Sequence, residues 1–275
     1  MDYQKYSGAG NDFLIINNLN NRIKNHSELT VELCSKETHK FDGVIFLENS
    51  DFADFKMNYY NRDGTGNALC GNGLRCTVQY ISDNKLSDKK ELLIEAVSKI
   101  FKSEIIGNNL ISVEFPPPVT IKTNFKLRVQ FQQWWQIINA SFVDIGSPHG
   151  IIFIDDIEKP KVENINDVDI DNWGRNIRMH QEFMPEGVNA QFVQVLSIEK
   201  SEIAIRSFER GVEGETLACG TGAISSAIIS YYLRNLQPPI KVLTLSKNIL
   251  TVNFTEQNSQ IKKLTLTGPA TRIKD

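Results

Sequence analysis

The feature that most constrains this chain is a Cys-Gly-x-Gly signature that occurs twice, at residues 70–73 and 219–222. The two cysteines are 149 positions apart, and a loop rich in glycine and polar residues precedes each of them. Apolar residues at spacings of three and four follow each signature, which predicts a helix beginning at each cysteine. The repeat indicates two similar units, each with the order strands, glycine-rich loop, cysteine, helix and strands.

A run of three prolines at residues 116–118, within EFPPPVTI (114–121), separates the two units. Because proline cannot continue a helix or occupy a central strand, this run predicts a stiff, extended spacer. The 275 residues are enough for two domains of ordinary size. We predict an N-terminal domain over residues 1–117 and a C-terminal domain over residues 118–263, with a strand in 264–275 that returns to the first domain.

The periodicity of apolar residues predicts an α/β (α+β) fold in which strands outnumber helices. Helices are predicted at residues 27–36 and onward from residues 70 and 219. Strands are predicted at residues 13–18, 43–48, 55–60, 91–97, 101–107, 110–115, 133–145, 150–155, 191–198, 202–208, 240–246, 249–254 and 262–268.

Composition and charge argue against several classes of protein. The formal net charge is −3 and no basic run stands out, so we expect no nucleic acid partner. We find no signal peptide pattern and no apolar run long enough to span a bilayer, so we expect a cytoplasmic protein without membrane association. Four scattered cysteines are too few for a disulfide scaffold in a chain of this length.

A cysteine at a helix N-terminus suits acid–base chemistry. Backbone N–H groups and the positive end of the helix dipole stabilise a thiolate there, and they also attract a carboxylate. If two such cysteines flank the α-carbon of an amino acid substrate, the thiolate of one can remove the α-proton. The thiol of the other can then return a proton to the opposite face of that carbon. A coupled pair of thiols can hold the single proton that this reaction needs. We see no zinc spacing and no recognisable Schiff-base lysine, so we expect no metal, no pyridoxal phosphate and no other cofactor.

Six segments in a fixed order resemble the diaminopimelate epimerase family. They are KYSGAGNDFLI (5–15), FDGVIF (41–46), NRDGTGNALCGNGLRC (61–76), GSPHG (146–150), PEGVNAQFVQV (185–195) and ERGVEGETLACGTGA (209–223). The resemblance implies two pseudo-symmetric α/β domains, each a strand barrel around a central helix. It also implies cofactor-independent interconversion of LL- and meso-diaminopimelate in lysine and peptidoglycan-precursor synthesis.

The resemblance further implies roles for individual residues. Cys70 and Cys219 would be the acid–base thiols, with His149 and Glu209 tuning them. The substrate-binding residues would be Asn11, Asn61, Gly71, Asn72, Ser147, Asn189, Glu209, Arg210, Gly220 and Thr221. The sequence departs from the family pattern at Ser147, where asparagine is frequent, and at Gly43, where glutamine is frequent.

Two other interpretations stay open. One is a related cofactor-independent racemase or epimerase of proline, hydroxyproline, glutamate or histidine. The other is a non-catalytic amino-acid-binding relative. Glu209 and Arg210 favour a substrate with a second amino acid end, because an arginine can bind a carboxylate and a glutamate can bind an ammonium group. The partner is therefore expected to be a small-molecule amino acid substrate, and a homodimer is the assembly we consider.

Overall fold

The computed structural model describes residues 2–66, 69–131 and 134–274. The chain forms two compact units, which we call unit 1 (Met1–Phe115 with Thr267–Asp275) and unit 2 (Pro116–Leu266). The fold is of the mixed α/β type, with many strands and few helices. None of the helices among the described residues has the length and apolar character that a membrane span requires.

Unit 1 consists of a series of paired strands, one outer helix and one central helix. Its elements are β1 (Gln4–Gly8), β2 (Asn11–Asn17), α1 (His26–Lys36), β3 (Gly43–Glu48), β4 (Phe55–Asn61), α2 (Gly71–Asp83), β5 (Glu91–Ala96), β6 (Lys99–Gly107) and β7 (Leu110–Phe115). Helix α1 packs its apolar face on β2 and β3, where Leu29, Leu33 and Cys34 join a buried cluster. The helix predicted at residues 27–36 is thereby confirmed.

The strands of unit 1 surround α2. Two later elements contribute to this unit, namely the end of β16 (Gln260–Pro269) and all of β17 (Thr271–Arg272). Strand β17 pairs with β1, and Thr267 at the end of β16 donates from Oγ1 to Ser112 Oγ of β7 at 3.0 Å. The same short segment therefore borders both ends of the strand series. Helix α2 contacts β1, β2, β3, β4, β6, β7 and β17 from inside.

Unit 2 is built in the same way around a second central helix. Its elements are β8 (Thr120–Phe131), β9 (Trp134–Asp144), β10 (Pro148–Phe153), α3 (Ile170–Arg178), β11 (Asn189–Ser197), β12 (Glu202–Glu209), β13 (Gly214–Thr216), α4 (Gly220–Arg234), β14 (Ile240–Leu243), β15 (Ile249–Gln257) and the first part of β16. Helix α4 contacts β8, β9, β10, β11, β12, β14 and β15.

The order of strand pairing repeats between the two units. In unit 1, β1–β2 is antiparallel, β2–β3 parallel, β3–β4 antiparallel, β4–β5 parallel and β5–β6 antiparallel. In unit 2, the pairs β9–β10, β10–β11, β11–β12, β12–β14 and β14–β15 follow the same alternation. Each parallel pair needs a crossover connection. Helices α1 and α3 provide the first crossover of each unit, and α2 and α4 provide the second.

Four strands and α-helices were not predicted from the sequence, and the first of them is β1 (Gln4–Gly8). Helix α3 begins after Asp169, whose side chain accepts a hydrogen bond from the Asn172 backbone N–H, and it buries Ile170, Trp173 and Ile177. Strand β8 fills the segment after the prolines, and the short strand β13 lies in the loop before Cys219. The strand predicted at residues 240–246 ends earlier, at Leu243.

Candidate active site

Cys70 and Cys219 occupy the same position in the two units, immediately before the central helix. Each is the N-cap of its helix, with φ/ψ of −121°/103° at Cys70 and −110°/108° at Cys219. Each Sγ accepts a hydrogen bond at 3.3 Å from the third residue after it, Gly73 or Gly222. The helices predicted to begin at these cysteines are confirmed, and both thiols lie at the positive end of a helix dipole.

The second glycine of each signature allows the close packing of the capped turn. A Cβ added at Gly222 would lie 2.5 Å from the side-chain amide of Gln191. At Gly73 the corresponding contact would be 3.2 Å, to the terminal methyl of Ile45. Glycine is therefore required more strictly in unit 2, where a buried polar side chain fills the space beside the helix.

Asn11 and Asn72 meet beside Cys70 in unit 1. The Asn72 side chain donates from Nδ2 to Asn11 Oδ1, and its own Oδ1 accepts a hydrogen bond of 2.7 Å from Arg75 Nη2. The Asn11 side chain also donates a hydrogen bond to the carboxylate of Asp42. Burial raises the pKa of Asp42, although hydrogen bonds from Asn11 and from the Asp12 backbone act to lower it. A chain of four polar side chains thus leads from the first turn of α2 to the start of β2.

Asn61 ends β4 and is held on both sides. Its Oδ1 accepts a hydrogen bond of 2.9 Å from the hydroxyl of Tyr59, and its Nδ2 donates at 2.9 Å to Thr65 Oγ1. Burial raises the pKa of Tyr59, and the charge of the Cys70 thiolate raises it further. Tyr59 therefore stays protonated as a donor, and it connects Asn61 with the surroundings of Cys70.

Cys219 lies in surroundings that favour its protonated form. Only 4% of the residue is exposed, and burial raises the pKa of its thiol well above the ordinary value. The negative charge of Glu209 acts in the same direction, whereas hydrogen bonds from Thr221 and Gly222 oppose it. The Cys219 Sγ is 3.6 Å from Thr221 Oγ1. Glu209 is itself fixed by a hydrogen bond from Thr216 Oγ1.

Asn189 joins two other predicted residues of unit 2. Its Nδ2 donates to Ser147 Oγ at 2.9 Å and to the carbonyl of Pro148 at 3.1 Å. Its Oδ1 accepts a hydrogen bond of 2.8 Å from the backbone N–H of Arg210. The Arg210 guanidinium lies 3.6 Å from the exposed carboxylate of Glu186 and is itself about one third exposed. An exposed surface carboxylate of this kind can be displaced by a ligand at little cost.

His149 is fully buried beside the same strands. Its Nδ1 lies 3.4 Å from Gln191 Nε2, and Gln191 Oε1 accepts a hydrogen bond of 2.6 Å from Ser207 Oγ. Among the described residues, His149 Nε2 has no hydrogen-bond partner. Burial, and to a smaller extent the positive charge of Arg210, lower the pKa of His149 to about 3. The ring is therefore neutral at physiological pH.

The predicted residues form one group in each unit. Unit 1 holds Asn11, Asn61, Cys70, Gly71 and Asn72, and unit 2 holds Ser147, His149, Asn189, Glu209, Arg210, Cys219, Gly220 and Thr221. Sequence reasoning missed four residues that complete these groups, namely Asp42, Tyr59, Arg75 and Gln191. Three of the four lie within the segments that resemble the family, and this position was the sequence signal that could have identified them. Tyr59 lies just before one of them and carried no such signal.

Gly43 is the position where the sequence departs from the frequent glutamine. It lies in β3 opposite Asn61 of β4. A Cβ at Gly43 would lie 2.0 Å from the carbonyl oxygen of Tyr60, so this backbone accepts only glycine here. Within the described ranges 2–66, 69–131 and 134–274, no three His, Cys, Asp or Glu side chains are grouped so that they could hold a metal ion.

Solved structures with similar folds cover nearly the whole chain. A phenazine biosynthesis protein of the PhzF family from Bacillus anthracis is 14% identical with a TM-score of 0.73, covering 99% of this chain and 96% of that one. A probable proline racemase from Agrobacterium radiobacter is 13% identical with a TM-score of 0.70, covering 98% and 90%. At this identity the likeness shows the fold alone.

Sequence comparison identifies the family. A model of the family described as diaminopimelate epimerase matches residues 3–120 and 141–273. The diaminopimelate epimerase of Chlorobaculum tepidum is 35% identical over 270 residues, covering 97% of both chains. That of Aquifex aeolicus is 33% identical, covering 99% of this chain and 96% of the relative. The chain belongs to the diaminopimelate epimerase family.

Proposed function

We propose that this protein interconverts LL- and meso-2,6-diaminopimelate by moving a proton at one α-carbon, with Cys70 and Cys219 as the two acid–base groups. The observation that carries this proposal is the duplicated N-cap, a thiol held 3.3 Å from a glycine N–H at the start of each central helix. Membership of the family supports the choice of substrate.

The chemistry requires one thiolate and one thiol. The thiolate takes the α-proton, and the electron pair left on carbon delocalises into the substrate carboxylate. The second thiol then donates its proton to the opposite face of the carbon, which inverts the stereocentre. At the end of the turnover the two sulfurs have exchanged protonation states, so no oxidant, reductant or cofactor is consumed.

The helix starts would bind the reacting carboxylate. The first turns at Gly71 and Asn72, and at Gly220 and Thr221, orient backbone N–H groups and the positive dipole end toward an anion. This interaction strengthens as negative charge develops on the carboxylate in the transition state. Asn11, which is hydrogen-bonded to Asn72, would help to orient the same part of the substrate.

The distal amino acid end would be recognised by polar groups around the end of β12. Arg210 would bind the distal carboxylate, because Glu186 is its only carboxylate contact among the described residues and is exposed. Asn189 and Ser147 would complete this contact, since they are hydrogen-bonded to each other next to Arg210. Glu209 would interact with the ammonium group and also keep Cys219 protonated, and His149 would contribute as a neutral neighbour. Asn61 would also bind substrate.

The test is incubation of the purified, reduced protein with LL-diaminopimelate in D2O. Chiral chromatography should show conversion to the meso isomer, and NMR should show deuterium at one α-carbon only. Absence of both conversion and exchange would reject the proposal. Exchange with proline, hydroxyproline, glutamate or histidine instead would establish a related racemase, and binding without exchange would establish a non-catalytic relative.

A further inference from the structure

Arg75 is a fully buried cation in unit 1 that the proposed reaction does not use. Its Nη2 donates to Asn72 Oδ1 at 2.7 Å, and its longer contacts reach the carbonyls of Gly71 and Pro269 at 3.4 and 3.5 Å. In the part of the chain that the structure describes, the charged groups that act on it are Cys76 and Cys70, and neither is a carboxylate. A buried arginine is normally paired with an anion, because an uncompensated charge is costly to desolvate.

The acidic groups that interact with Arg75 are thiols. Burial lowers the pKa of Arg75, whereas the negative charges of Cys76 and Cys70 raise it. Cys76 is completely buried, and burial raises the pKa of its thiol so that it stays neutral. Cys70 is partly exposed and caps a helix, so it is the group near Arg75 that can carry a negative charge.

Unit 2 provides an internal comparison for this position. When the two central helices are aligned on their cysteines, Ile224 of α4 corresponds to Arg75 of α2. Ile224 is also completely buried. An aliphatic side chain therefore packs this position in the same architecture, so packing alone does not call for an arginine. The difference between the two helices lies in charge.

We infer that Arg75 is a positioning residue of the Cys70 group. Its buried positive charge favours the anionic form of Cys70, and its guanidinium holds the Asn72 side chain against Asn11. The inference rests on the proposed function, because that function requires one of the two thiols to be anionic before the substrate reacts. In addition to the residues of the proposed reaction, the inference assigns to Arg75 of α2 the role of setting the protonation state of Cys70.

Other titratable groups of unit 1 act on Cys70 or on its neighbours. Tyr59 of β4 interacts with Cys70, but burial raises its pKa, so it is uncharged at neutral pH. Asp42 acts on Tyr59, and Asp12 acts on Cys76. On strands β1 and β17, which also pack against α2, Tyr6 bonds Asp83 and interacts with Arg272 at the far end of the helix. Arg75 is the buried cation of α2 that interacts with Cys70, so its removal tests the inference.

The experiment measures Cys70 directly, without substrate. Full-length protein carrying Cys219→Ala is alkylated with iodoacetamide over a range of pH, and modification of Cys70 is located by mass spectrometry. We expect Arg75→Gln to raise the midpoint of alkylation by about one pH unit, and hence to slow alkylation about tenfold below the midpoint. Arg75→Lys keeps the charge and should restore most of this shift.

A matched control lies further along the same helix. Gln79 is one turn after Arg75 and is also buried, with its amide bonded to Asp83. We expect Gln79→Met to leave the midpoint of Cys70 unchanged, which separates the charge of Arg75 from general damage to α2. An unchanged midpoint in folded Arg75→Gln would overturn the inference.

A second measurement covers the case in which Arg75→Gln does not fold. The protein with native Arg75 should show a Cys70 midpoint below that of a free cysteine, about 8.5, and a midpoint at or above this value would overturn the inference. The result is independent of the proposed reaction. A shifted midpoint in a protein that does not epimerise diaminopimelate would reject the function alone, whereas turnover with an unshifted midpoint would reject the role of Arg75 alone.

Discussion

The residues around Cys70 and Cys219 have the same backbone conformation at the cysteine but carry different charges. Both thiols cap a central helix with the same extended conformation and the same hydrogen bond from a glycine. The strand before the loop ends with neutral Asn61 in unit 1 and with Glu209 in unit 2. Inside the helix, unit 1 has the cation Arg75 where unit 2 has Ile224. Because the helix dipole is common to both, the two thiols differ in acidity through these neighbours and through the deeper burial of Cys219.

The strongest way to break the comparison is to remove one thiol at a time. We expect Cys70→Ala and Cys219→Ala each to reduce epimerisation about 1000-fold or more, since a positioned acid or base contributes on the order of 10² to 10⁴. Each variant keeps one thiol, so in D2O each should exchange the α-proton of one stereoisomer only, and the two variants should choose opposite isomers.

The control for both variants is Cys34→Ala, which changes a cysteine in the cluster under α1. It should keep its turnover number, although its thermal stability should fall. Full inversion by either Cys70→Ala or Cys219→Ala, measured by chiral chromatography, would show that the reaction does not need two thiols.

The next test exchanges the charges at the ends of β4 and β12. The negative charge of Glu209 raises the pKa of Cys219, so Glu209→Gln should lower it and move the alkaline limb of the kcat/KM profile to lower pH by about one unit. Asn61→Asp adds an anion in the Cys70 group and should move the acid limb upward. The two limbs belong to a coupled pair, so both profiles need a full pH range. Superimposable profiles for wild type and variants would argue that these positions do not tune the thiols.

Replacing Gly222 or Gly73 by alanine should have a smaller effect, and the loss of stability should differ between the two positions. Gly222→Ala would push on the Gln191 amide, which is held between His149 and Ser207, so those hydrogen bonds must break. We expect a loss of about 1–3 kcal/mol in the free energy of unfolding. Gly73→Ala meets the terminal methyl of Ile45 at 3.2 Å and should cost less. Urea denaturation of the two variants measures the difference, and equal losses would contradict the unequal packing described for the two units.

The last effect concerns His149 and is confined to acid pH. Its pKa is lowered to about 3 in the folded protein, so the unfolded chain takes up a proton that the folded chain does not. Stability from this group is complete above about pH 6.5 and is lost progressively as the pH falls from there toward about 3. His149→Gln should remove this part of the slope. An identical pH dependence of unfolding in the variant would show that the pKa of the ring is the same in the folded and the unfolded chain.

Local sequence patterns predicted the parts of the fold that depend on local rules. The glycines after each cysteine and the apolar spacing that follows predicted both helix starts, because a capped turn needs those residue types. Helix α3 was missed although Ile170, Trp173 and Ile177 have helical spacing, since asparagine and glycine between them are poor helix formers. Strand β8 was missed although Phe125, Leu127 and Val129 alternate with polar residues, which is the pattern of a half-buried strand.

The residues around the thiols were less predictable, because their environment comes from distant parts of the chain. Arginine is almost never fully buried, so no pattern in α2 predicts that Arg75 is. Asp42 reaches Asn11 across parallel strands, and Gln191 reaches His149 in the same way. Such contacts follow from strand register, which the sequence of either strand alone does not specify.

The return of residues 267–273 to unit 1 has a consequence for biosynthesis. Unit 2 is one continuous stretch, whereas unit 1 lacks the partner of β1 and the carbonyl of Pro269 until residues beyond unit 2 have been made. At about 5–20 residues per second, the ribosome needs roughly 8–30 seconds to synthesise the intervening segment. During that interval the nascent first unit has two open strand edges, which are templates for wrong pairing and binding sites for chaperones.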